Sequence, residues 1–123
     1  MAMTLALMMV LTVAISVSAA TVTNGGTYGG YSYETIDTCN TKSFSSRTFY
    51  DSMEYSIYSN VTVYGFMIDA SGNELSVPVA YYNGDPGYTV TNTSGSVAFA
   101  IAGILCEHYI NNCKVYSINV YPS

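Results

Sequence analysis

Histidine chemistry in this chain rests on His108 alone, beside Glu107 and between Cys106 and Cys113. Imidazole and thiolate groups at that spacing could contribute to a zinc site, but a structural site uses four ligands and this stretch offers three in an unfamiliar pattern. A serine or cysteine nucleophile would also need His108 as its base, with a carboxylate to orient the ring. No serine lies in a nucleophile-elbow sequence, so His108 reads as a loop histidine beside a disulfide. The segment Asp69-Ala70-Ser71-Gly72-Asn73-Glu74 has the oxygen-rich look of a calcium loop. The glycine and glutamate spacing of an EF-hand fails there, and a hairpin turn is the better account. No carboxylate pair suited to glycoside hydrolysis is recognisable. These residues predict a chain that works without catalysis, metal or cofactor.

The three cysteines have to be placed in a compartment before they can be paired. Residues 1–20 carry an apolar run from Leu5 to Val17 that leads into small residues, the pattern of a cleaved export signal, with the mature chain starting at Ala20 or Thr21. About 15 apolar residues fall short of the roughly 20 that span a bilayer as a helix, and no other run is long enough, so no membrane span is expected after cleavage. An oxidising destination favours one disulfide and one leftover thiol among Cys39, Cys106 and Cys113. Loop entropy favours a bridge from Cys39, worth about 4.5 kcal/mol against about 2.5 for the short loop. Proximity during folding favours Cys106 with Cys113, the pairing expected here. Cys39 is then buried and inert, or joins two copies as a homodimer.

Charge narrows the partners. Eight carboxylates oppose Lys42, Arg47 and Lys114, for a net charge of −5. Phosphate backbones need clustered cations, so nucleic acid is not an expected partner, nor is an anionic membrane surface. Polarity comes instead from Ser, Thr, Asn, Gly and thirteen tyrosines. Tyrosine favours strands and presents an apolar ring with a hydrogen-bonding tip, which suits a half-buried sheet or a binding face.

The elements that would position these groups read as strands. Residues 21–30, TVTNGGTYGG, have four glycines and no apolar period, and are expected to be a flexible leader before a single domain at 31–123. From Met53 to Met67 alternation places Met53, Tyr55, Ile57, Val61, Val63 and Met67 on one face, a long half-buried strand bent near Ser59 or Gly65. Turn residues at 69–73 lead into a second strand from Leu75 to Tyr82, which Pro78 pushes toward an edge or bulge. A turn at 83–87 precedes a short run from Tyr88 to Thr93. The apolar stretch from Ser96 to Cys106 is expected as a central strand covered on both faces, and Lys114 to Tyr121 as the closing strand. Six or seven short strands without a convincing amphipathic helix predict an all-β, antiparallel β-sandwich.

On the 53–67 strand the face opposite the core carries Tyr58, Tyr64 and Phe66, and Tyr81, Tyr82 and Tyr88 flank the next turn. Exposed rings suit sugar faces or a protein partner, which makes these six residues the candidate binding surface. Asn60 and Asn92 match N-glycosylation sequons.

An export signal followed by Tyr, Ser, Thr and Asn-rich strands resembles small exported β-sandwich proteins of Gram-positive bacteria, including the lactococcin 972-like bacteriocins. The likeness covers the mature region in general character, and no residue role carries over from it. The expectation is a secreted or cell-surface, non-catalytic binding or surface-structural module, with a cell-surface glycan or protein as partner. A bacteriocin-like antibacterial protein is the alternative, and a small secreted hydrolase the third.

Overall fold

A computed structural model describes residues 20–122, and these described residues form eight antiparallel strands and no helix. They are β1 (Ala20–Tyr28), β2 (Tyr31–Cys39), β3 (Ser43–Tyr50), β4 (Ile57–Ile68), β5 (Glu74–Asn83), β6 (Val90–Ser96), β7 (Ile101–Ile110) and β8 (Cys113–Val120). One sheet has the order β1-β2-β3-β6 and the other β5-β4-β7-β8. Their inner faces pack together, an arrangement that fits a β-sandwich. The export signal expected at 1–20 lies, but for Ala20, outside the described residues.

The segment read as a flexible leader is instead an edge strand, paired with β2 from Ala20↔Cys39 to Tyr28↔Tyr31. Its glycines misled because three of them have structural work. Gly26 lies opposite Tyr33, whose ring covers the place a Cβ would take, so the glycine is sheltered by the aromatic across the strand pair. Gly29 and Gly30, at φ of 59° and 86°, form the two-residue turn into β2. Asn111 and Asn112, at 56° and 60°, do the same between β7 and β8. Asparagine tolerates this left-handed backbone better than most side chains.

The β4–β5 hairpin forms where expected. Asp69 accepts backbone N–H groups of Asn73 at 2.8 Å and Ser71 at 2.9 Å, and Gly72 supplies the positive φ of 86°. The Asn73 amide and its neighbours hold the Asp69 carboxyl below its ordinary range. β4 itself starts at Ile57, later than Met53, and its register shifts at Val63/Tyr64 against β5 and at Tyr64/Gly65 against β7. Pro78 sits on the edge strand β5, beside that irregularity. The apolar stretch around residue 100 is divided: β6 ends at Ser96, the chain crosses between sheets, and β7 begins at Ile101 in the centre of the second sheet. Only one face of β7 is buried; Leu105, Glu107 and Tyr109 lie half-buried on the outer face.

Two apolar clusters fill the ends of the interior. The larger joins Cys39 and Phe44 of the first sheet to Val61, Val63, Ile104, Cys106 and Val120 of the second, with Ile101. The smaller groups Tyr50, Ile57 and Ile110, edged by Tyr28, Tyr33, Tyr55 and Val115.

Candidate functional site

Between the two clusters the interior is polar. Inward-facing positions of β2 and β3 carry Asp37, Ser46 and Thr48, which meet Ser59 of β4 and His108 of β7, with Thr35 across from Thr48, all at 0% exposure. His108 Nε2 donates to both carboxylate oxygens of Asp37 at 2.8 Å. The Ser46 hydroxyl donates to the same carboxylate at 2.6 Å. On the far side of the ring Thr48 Oγ1 lies 2.7 Å from Nδ1, and with the proton on Nε2 that nitrogen accepts the Thr48 hydroxyl. Ser59 donates to the Ser46 carbonyl at 3.1 Å, and Thr93 donates to the Ser59 carbonyl at 2.8 Å. Hydroxyl, imidazole and carboxylate therefore line up in the order of a nucleophile, its base and the orienting acid. The alignment has no substrate side: each member is sealed, so its hydrogen bonds tie the sheets together.

Burial explains the thiols beside this belt. Desolvation pushes the Cys39 thiol up to about 11. Cys106 is raised further by its own burial, reinforced by the Asp37 charge. Both stay protonated and are poor nucleophiles.

The expected disulfide does not form. Cys39, Cys106 and Cys113 are all free thiols. In the β7–β8 hairpin Cys113 pairs with Ile110, whereas Cys106 pairs with Ile118. The two cysteines are separated by about 13 Å of strand, beyond the roughly 7 Å a bridge tolerates. Cys106 also points into the core while Cys113 is exposed. The homodimer expected through Cys39 fails for a related reason, since that thiol is fully buried and cannot meet another chain. His108, expected on a loop beside the disulfide, is a core residue of a strand.

Four of the six candidate binding residues share one surface. Tyr58, Tyr64 and Phe66 alternate on the outer face of β4, and Tyr81 joins them because β5 pairs it with Thr62. Tyr58 stacks on Tyr109 of β7 with centroids 4.8 Å apart and planes 10° from parallel. Tyr81 and Phe66 stand 69% and 53% exposed. Gly103, opposite Tyr64 in the register, leaves a notch of about 90 Å³ lined by Tyr64, Tyr121, Asn119 and Ser76. A side chain at 103 would strike the Tyr121 ring, so the glycine keeps the notch open. Tyr82 departs from the group: it turns inward onto Phe44, centroids 4.8 Å apart. Tyr88 lies on the β5–β6 connection and is exposed. Of the sequon asparagines, Asn60 accepts the Gly84 amide through its side chain, while Asn92 is exposed.

A second concavity went unseen in the sequence. Where β2, β3 and β6 end together, Glu34, Phe49 and Val90 lie side by side, and the chain after Tyr50 wraps over them to form a cleft of about 570 Å³. Ser32, Tyr33, Asp51, Ser52, Met53 and Thr89 complete it. Thr89 closes a γ-turn, with Val90 N–H donating to the Tyr88 carbonyl at 2.8 Å and φ at 66°, a strained backbone for a β-branched residue. Its carbonyl accepts the Tyr50 amide at 2.9 Å, which fixes the cleft wall to the end of β3. No sequence signal marked this site, because its parts come from three separated segments.

No protein-family model, curated protein or solved structure matches this chain.

Proposed function

We propose that this chain is an exported, non-catalytic binding module that holds its ligand on the outer face of the β5-β4-β7-β8 sheet. The observation that carries the reading is the notch between Tyr64 and Tyr121, set in a surface of exposed rings at Tyr81 and Phe66. Rings with hydroxyl tips, beside Asn119 and Ser76, offer apolar faces and neutral hydrogen-bonding groups together. That combination suits a neutral glycan or a polar protein surface. The division of chemistry across the molecule supports the non-catalytic part. The aligned hydroxyl, imidazole and carboxylate are sealed, and the open aromatic face has no histidine.

The test adds fluorescently labelled protein to a panel of bacterial cells and glycan-coated beads, scoring binding and viability together. Saturable binding without killing is expected, with Tyr81→Ser and Tyr64→Ser each weakening it by about tenfold, the loss of one anchoring ring. Growth inhibition would favour the antibacterial alternative. Binding that survives both substitutions would remove the outer face from the account.

A further inference from the structure

The cleft at the end of β3 is independent of the aromatic face and has a different chemistry. Its floor is apolar: Phe49, Met53 at 72% exposure and Val90 at 51%, a degree of exposure that costs free energy unless something covers them. Its rim carries two carboxylates, Glu34 and Asp51. Among the described residues neither has a cation within ion-pair distance, whereas Glu107 has Lys114 at 3.3 Å. The Phe49 ring already accepts a guanidinium, that of Arg47, 5.1 Å from its centroid. With five net negative charges on the chain, long-range attraction also favours a cation.

We propose that this cleft binds a basic peptide segment of a partner protein, through a guanidinium or ammonium group on an apolar stem. The stem lies on Phe49, Met53 and Val90, and the charged head reaches Glu34 and Asp51. This is how long basic side chains cover apolar surface while keeping their charge among polar groups. The volume of about 570 Å³ holds more than a single side chain. The hydrogen-bonded wall at Thr89 and Tyr50 presents the cleft already formed, so little ordering cost falls on the ligand.

The experiment follows backbone amide shifts of the full chain by NMR during titration with three probes: N-acetyl-arginine amide, its uncharged analogue N-acetyl-citrulline amide, and spermidine. The expected result is saturable movement of Glu34, Phe49, Asp51 and Val90 with the arginine probe, and about tenfold weaker binding of the citrulline probe, since a charge-assisted contact is worth more than a neutral one. The double variant Glu34→Gln/Asp51→Asn should lose binding by a similar factor. Glu74→Gln, on the remote hairpin, should leave it unchanged. A stronger response to spermidine than to the arginine probe would overturn the peptide in favour of a free polyamine. Equal binding of arginine and citrulline probes, shifts spread over all carboxylates, or no response at millimolar probe would each overturn the proposal. None of these outcomes bears on the aromatic face, whose test reads cells and glycans.

Discussion

The two sheets contribute unlike inner faces to the same interior. The second sheet supplies Ile57, Val61, Val63, Ile104, Ile110 and Val120 around His108 and Ser59. The first supplies Thr35, Asp37, Ser46, Thr48 and Thr93, with Cys39, Phe44 and Tyr50 at the ends. An apolar face gains from almost any close packing, whereas a polar face gains only when each group meets its partner. Asp37 has two donors, and both must arrive from defined positions on β3 and β7. The polar sheet therefore fixes how the apolar one sits on it, and unsatisfied groups are the cost of slipping by one residue.

This contrast predicts very different responses to substitution. Asp37→Ala removes the acceptor for both His108 and Ser46 and leaves two buried donors without a partner. Each donor buried without a partner costs about 1–3 kcal/mol, and the combined loss is read from the midpoint of chemical denaturation. Replacing both partners, Asp37→Leu with His108→Phe, should recover part of that loss, because neither member of the pair is then buried without the other, while Ser46 and Thr48 each still lose a partner. A double variant no more stable than Asp37→Ala would show that the hydroxyls of Ser46 and Thr48, not the bond between His108 and Asp37, hold the sheets in place.

The same contrast explains what was legible in the sequence. The two-residue period of Ile57, Val61 and Val63 and of Tyr116, Ile118 and Val120 marked strands of the second sheet, since apolar and polar residues alternate there. In β1, β2 and β3 threonine, serine, aspartate, asparagine and glycine interrupt the inward run between Ala20, Val22, Cys39, Phe44 and Tyr50, so hydrophobic period carries little signal. β1 was consequently read as a leader. Asp37 was unremarkable for the same reason, although it lies 71 residues from the histidine it binds. The outer aromatic face was legible in part because Tyr58, Tyr64 and Phe66 belong to one alternating strand. Tyr82 was misassigned because the register shift at Val63/Tyr64, which sets which residues of β5 turn inward, cannot be read from local sequence.

A smaller effect is expected at the apolar end. Ile57 is fully buried with Tyr50 and Ile110, and Ile57→Val removes one methylene without disturbing a hydrogen bond. The loss should be about 0.5–1.5 kcal/mol, measured by the same denaturation. A cost as large as that of Asp37→Ala would mean that the small cluster, rather than the polar belt, is the more exacting part of the interior.

The smallest effect sharpens the boundary between the two kinds of core. Cys39 lies on the first sheet but belongs to the larger apolar cluster. Burial raises its thiol from 9.0 to about 11, so between those values the folded chain keeps a proton that the unfolded chain has released. Its contribution to stability is therefore complete below pH 9 and is lost as pH rises through about 11. Denaturation midpoints followed from about pH 8 to pH 11 should fall, and fall less steeply in Cys39→Ala. Cys106 and Tyr50, both raised by desolvation, maintain the rest of the slope. Identical slopes in the two proteins would mean that water reaches Cys39 from the polar belt, and that the apolar cluster is less closed at that edge than its zero exposure implies.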